Sequence, residues 1–145
     1  MKIDIVTIFK DVYTGFLNTS IVHRAIENKQ LTVNLHNLRD FSLDKNKKVD
    51  DTVYGGSVGM LMAVEPFYRS ISELNKNSRP FVISFSPQGK KLNQTLLDEL
   101  AKKPHLVLIP GHYEGYDARA LNFIDLEISL GDFVLTSGIL PSQIL

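Results

Sequence analysis

Cysteine is absent from the 145 residues, so a disulfide framework, a thiolate metal site and a cysteine nucleophile are all excluded. Charge of one sign is missing too: 16 Lys and Arg balance 16 Asp and Glu, so any contact with a polyanion must come from a local patch. No apolar run approaches membrane-spanning length, and the N-terminal Met1 to Ile8 carries Asp4 within its short apolar stretch, unlike a signal peptide. A cytoplasmic location and no membrane partner are the expectation. Repeats, low-complexity tracts and composition shifts are also lacking. With 43% hydrophobic residues the chain suits one globular domain with a real core.

Strand and helix patterns alternate. Residues 2 to 8 read as a buried strand because Ile3, Ile5, Val6, Thr7 and Ile8 are β-branched and clustered. Helices are expected near residues 10 to 17 and from a Ser20 cap to about Asn28, with Ile21, Val22, Ala25 and Ile26 on one face. A strand over 31 to 35 precedes a polar stretch from Asp40 to Tyr54, read as a mobile loop. A helix over 64 to 75, a strand over 81 to 85, an Asn93-capped helix over 94 to 102 and strands over 105 to 109 and 124 to 128 follow. The fold class is therefore α/β with a largely parallel sheet and flanking helices. The last residues read as a helix beginning near Leu140 with no stop signal, as in a fragment or truncated form.

Glycine is missing between Gly15 and Gly55, and the remaining eight fall in expected loops. They cluster as Gly55-Gly56 with Gly59, as Gly89 after one strand, as Gly111 and Gly115 after the next, and as Gly131 and Gly138 after the last. In α/β proteins ligands bind beyond the carboxyl ends of strands, where glycine lets backbone approach closely. Each cluster alone reads equally well as a tight turn; together they favour a common site. His23, His36 and His105 show no ligand spacing with acids and read as structural. Asp50-Asp51 reads as a solvated pair, so no metal is assigned. Lys45, Lys47 and Lys48 are a candidate phosphate contact, balanced by nearby acids.

The motifs Arg39-Asp40-Phe41, Val49-Asp50-Asp51, Tyr54-Gly55-Gly56 with Gly59-Met60, Ser86-Pro87-Gln88-Gly89, Gly111 with Tyr113-Glu114-Gly115 and Asp117, and Gly131-Asp132 through Pro141 occur in this order. By them the chain resembles, essentially end to end, the TrmD family of tRNA (guanine-N1)-methyltransferases, whose amino-terminal domain is of the knotted SPOUT class. The resemblance implies a deep trefoil knot in the carboxy half of the domain, with knot loops that hold S-adenosyl-L-methionine in a bent form. It implies a donor wall of Pro87, Gly111, Glu114, Gly115, Leu130, Gly131, Asp132, Phe133, Val134, Leu135, Gly138 and Pro141. Glu114 either pairs with cationic groups of the donor in a supporting role or is a surface acid. The family acts on guanine 37 of tRNA as a homodimer whose partner completes the site. Its general base and an assisting arginine lie beyond the position of Leu145, together with the tRNA-binding carboxy-terminal domain, so no catalytic residue is assigned within residues 1 to 145.

Several positions depart from the family pattern. His112 stands for arginine, Ser137 for glycine, Ile139 for glutamate, and Ser57-Val58 for Gly-Pro. If the backbone at position 137 needs positive φ, Ser137 is strained and donor binding weakened, so that Ser137→Gly would tighten it. Two readings follow: a methyltransferase domain, or a non-catalytic, dimerising module that binds the donor or RNA.

Overall fold

The computed structural model describes residues 1–52, 59–76, 78–112 and 115–145. Among these residues, seven strands and five helices follow one another as β1 (Lys2–Thr7), α1 (Asp11–Leu17), α2 (Ser20–Glu27), β2 (Thr32–Asn37), β3 (Asp50–Thr52), β4 (Met60–Met62), α3 (Val64–Leu74), β5 (Phe81–Lys91), α4 (Gln94–Leu100), β6 (His105–Ile109), β7 (Leu126–Ser129) and α5 (Ile139–Ile144). Short 3-10 turns at Leu38–Phe41 and Ala118–Phe123 complete the order. Five strands form one parallel sheet in the order β2-β1-β6-β5-β7.

Side chains alternate across each strand, so the sheet builds two cores, and burial on both faces is what parallel sheets require. On one face Ile5, Ile83, Leu106, Leu108 and Ile128 pack with Tyr13 of α1 and Leu96 and Leu100 of α4. On the other, Val6, Val82, Val107 and Ile109 pack with Phe67 of α3 and with Leu38, Val49 and Met62. Helix α5 docks on α1 through a buried hydrogen bond of 2.7 Å between the Tyr13 and Ser142 hydroxyls.

Four local expectations are corrected. Ser20 does not cap α2: Thr19 holds the cap position without a side-chain bond, and Ser20 has φ +57°. The Thr19 hydroxyl instead donates to the Gly15 carbonyl at 2.6 Å. Ile21 is 71% exposed, so the apolar face of α2 narrows to Val22, Ala25 and Ile26, which are half-buried. The polar stretch after Asp40 is not featureless: Ser42 Oγ donates to the Lys48 carbonyl (2.6 Å), and Asp44 accepts from the Asn46 and Lys48 amides. Val49 is then fully buried, and β3 pairs antiparallel with β4, so a single buried valine anchors what charge patterning alone made look like open loop. Finally, β5 extends to Lys91. Both Phe85 and Lys90 pair with Ile128, so residues 86 to 89 bulge out of the strand while pairing resumes beyond them. Asn93 caps α4 as expected, accepting from the Leu96 amide at 2.9 Å.

Candidate functional site

Parallel strands aim their carboxyl ends the same way, and here the segments leaving β5, β6 and β7 meet around one cleft of about 640 Å³. The bulge after Phe85 supplies Pro87, the segment after β6 supplies Gly111 and Gly115, and the segment after β7 supplies Leu130, Gly131, Phe133, Val134, Leu135 and Gly138, with Pro141 of α5 closing the wall. Of the residues expected from sequence, Asp132 is exposed and does not line the cleft. Glu114 lies outside the described residues, as does the cluster Tyr54-Gly55-Gly56-Ser57-Val58.

Two glycines make the convergence sterically possible. A Cβ at Gly138 would sit 2.8 Å from the Gly111 nitrogen and from Pro110 Cα, and the Gly138 amide donates to the Gly111 carbonyl at 2.7 Å. A Cβ at Gly89 would stand 2.7 to 2.8 Å from backbone atoms of Glu127 and Ile128, so glycine lets the bulge close back onto β7. Gly115 has φ +110°, a conformation that L side chains avoid. Its carbonyl accepts from the Met62 amide at 3.0 Å, and the Met62 carbonyl accepts from the Asp117 amide, which fastens the segment after β6 to β4.

Sequence reasoning missed Tyr116, Leu121 and Glu127, all of which line the cleft. Tyr116 donates to the Ile109 carbonyl at 2.5 Å and meets Phe67 edge-on at 5.6 Å. Burial pushes its phenol pKa well up, and the charges of Glu127 and Tyr13 push it further the same way. His112 is buried against Phe9, with ring centroids 5.2 Å apart, and burial lowers its imidazole pKa, which keeps it neutral near pH 7. Asp117 is held down to about 2 by the Arg119 guanidinium, which donates from Nε (2.9 Å) and Nη2 (2.6 Å), and by the Arg119 amide. The signal available for Glu127 was an acid breaking an otherwise apolar strand, Leu126-Glu127-Ile128.

Ser137 carries none of the strain expected of it, because positive φ among described non-glycine residues occurs only at Ser20, Lys29 and Lys47. Its hydroxyl accepts weakly from the Ile139 amide at 3.4 Å, at the start of α5.

His36 and His105, read as structural, both reach one buried acid. Asp4 is fully buried and accepts from Asn34 Nδ2, His36 Nε2, His105 Nε2 and Lys2 Nζ at 2.6 to 2.8 Å. In the parallel register Lys2 lies opposite both Thr32 and His105, and Asp4 opposite Asn34, which spreads this cluster across β1, β2 and β6, and none of its residues lines the cleft. Among the described residues, no group of three or more His, Asp or Glu is arranged to hold a metal ion.

A single parallel sheet with glycine-dependent loops converging at its carboxyl end is the architecture of an α/β ligand-binding domain. The family model described as "tRNA (Guanine-1)-methyltransferase TrmD" matches residues 1–145, and the chain belongs to that family. It is 51% identical over 138 residues to the tRNA (guanine-N(1)-)-methyltransferase of Clostridium botulinum strain Hall, covering 95% of this chain and 57% of that protein. It is 47% identical over 149 aligned positions to the protein of the same name from Moorella thermoacetica, covering 100% of this chain and 60% of that one. The crystal structure of tRNA (m1G37) methyltransferase from Aquifex aeolicus superposes with a TM-score of 0.91 at 36% identity, over 99% of this chain and 66% of that one. The chain thus spans less than two thirds of the length of these curated relatives.

Proposed function

We propose that this chain is the methyl-donor-binding part of a tRNA (guanine-N1)-methyltransferase that transfers a methyl group from S-adenosyl-L-methionine to N1 of guanine 37. The observation that carries the reading is the single cleft where Pro87, Gly111, Gly138 and the run after β7 converge, together with family membership. Its volume suits a ligand of nucleoside size. Glycine at 111 and 138 puts backbone rather than side chain at the cleft wall, where a flat adenine can approach it, while Leu130, Phe133 and Leu135 supply apolar contact area. The trefoil threading of the carboxy half, the homodimer, the tRNA partner and a cytoplasmic location belong to the same proposal. No helix among the described residues is long and apolar enough to cross a membrane.

The donor supplies an electrophilic methyl on a cationic sulfur, so these residues act chiefly by positioning it. Guanine N1 carries a proton that must leave, which calls for a base. Tyr116 is unsuited, since burial holds its proton in place at neutral pH. We place the base and the tRNA-binding domain beyond Leu145, as the family resemblance implies. Calorimetry with S-adenosylmethionine and a radiolabel assay on tRNA test this: residues 1–145 are expected to bind donor without useful turnover, and a chain extended to the family's full length to methylate. Robust turnover by residues 1–145 would move the base into this domain, and failure of both chains to bind donor would overturn the reading.

Because Ser137 is unstrained, Ser137→Gly is expected to leave donor affinity within about twofold and to lower stability by a few tenths of a kcal/mol through the lost contact to Ile139. A tenfold gain in calorimetric affinity would restore the steric account.

A further inference from the structure

The cleft is poor in charge. Among the described residues that line it, Glu127 is the one Asp, Glu, Lys or Arg. It sits in β7, opposite Ser84 of β5 in the parallel register. Alternation along β5 puts Ser84 on the face of Val82, which belongs to the core that Tyr116 packs against. The Glu127 carboxylate is half-buried, and among the described residues it accepts no hydrogen bond and pairs with no cation. Its register neighbour, the fully buried Ser84 hydroxyl, likewise has no hydrogen-bond partner. Tyr116, whose phenol pKa the Glu127 charge pushes further up, stays protonated and adds no second negative charge. Among the described residues the fold therefore sets one carboxylate at the cleft with no cation paired to it, and half-buried carboxylates are costly without such a partner.

Building on the donor-binding reading above, we propose that Glu127 is the cation-recognising residue of the cleft, pairing with positive charge on the methyl donor. S-adenosylmethionine carries two such groups, the sulfonium and the α-ammonium, and a carboxylate recognises either by the same electrostatics. An unpaired acid in a cleft whose other described lining residues are neutral favours a cationic ligand and repels an anionic one.

Three probes separate the possibilities when titrated into the wild-type chain and Glu127→Gln: S-adenosylmethionine with both cations, S-adenosylhomocysteine with the ammonium alone, and methylthioadenosine with neither. Glu127→Gln is expected to weaken S-adenosylmethionine at least about tenfold, as for loss of a charge-assisted hydrogen bond, and to leave methylthioadenosine within about twofold. A parallel loss of S-adenosylhomocysteine makes the ammonium the partner, and an unchanged value makes it the sulfonium. Unchanged S-adenosylmethionine binding, or an equal loss of all three probes, overturns the assignment. The wild-type chain gives an independent readout should the variant fold poorly: raising salt should weaken S-adenosylmethionine but not methylthioadenosine, and equal salt response would count against the pairing. If the wild-type chain binds none of the probes, the donor-binding reading fails first and the inference with it.

Discussion

Asp4→Ala is expected to destabilise the chain by about 3–5 kcal/mol, the usual cost of removing one partner from a buried charged network. Asp4 is fully buried within β1. Lys2 Nζ (2.8 Å), His36 Nε2 (2.8 Å), Asn34 Nδ2 (2.8 Å) and His105 Nε2 (2.6 Å) all converge on its two oxygens. Those donors come from three adjacent strands, so alanine leaves several polar groups in the sheet without an acceptor. Against a total stability of roughly 5–15 kcal/mol for a domain, a loss of this size is large. Urea unfolding should show a clear fall in midpoint, and a midpoint within about 0.5 kcal/mol of wild type would mean that the network adds nothing net.

The same residue sets an acid limb. Burial on its own would raise the Asp4 pKa, but hydrogen bonds from Lys2, His36, Asn34 and His105 outweigh it and hold the carboxyl well below the ordinary value of 3.8. The folded value is depressed relative to the unfolded one, so the stabilisation is fully present above about pH 3.8 and is lost as pH falls towards the folded value. The gap between wild type and Asp4→Ala should therefore narrow in acid, and a gap independent of pH between 7 and 3 would contradict the linkage.

That network shows what the sequence could and could not disclose. The alternation of strand and helix was legible because β-branched clusters such as Ile3 to Ile8 and His105 to Ile109 carry their own signal. His36 and His105 were legible as structural, but not their shared partner, since only the parallel register brings residues 32 and 101 positions from Asp4 onto one carboxylate. The bulge after Phe85 was hidden for a related reason: Ser86-Pro87-Gln88-Gly89 reads as a strand end, and only pairing with β7 reveals that β5 resumes at Lys90. Glu127 was overlooked because its place at the cleft depends on which face of β7 turns towards Tyr116, again a matter of register. Family resemblance pointed to glycines at the cleft, yet it misjudged Ser137, whose backbone conformation a motif does not encode.

Gly138→Ala should be far more damaging than its conformation suggests. Gly138 has φ −76° and ψ 2°, values open to any residue, so backbone strain is not the issue. Proximity is. The added methyl would meet the Gly111 nitrogen and Pro110 Cα at 2.8 Å and the Pro110 carbonyl carbon at 3.0 Å, and these are backbone atoms that cannot swing aside. The segments after β6 and β7 must then part, lengthening the 2.7 Å hydrogen bond from the Gly138 amide to the Gly111 carbonyl and widening the cleft they jointly line. Overpacking of this kind costs about 1–3 kcal/mol. Donor affinity should fall at least about tenfold, since misplaced backbone groups lose their contacts with the ligand. Gly15→Ala is the matching control: nothing lies within 4 Å of its Cβ position in α1, so alanine there should be neutral or stabilising by about 0.5–1 kcal/mol. Urea midpoints and calorimetric titration of both variants decide the matter. Wild-type affinity and midpoint in Gly138→Ala would show that the two segments tolerate separation and that their close contact does not shape the site.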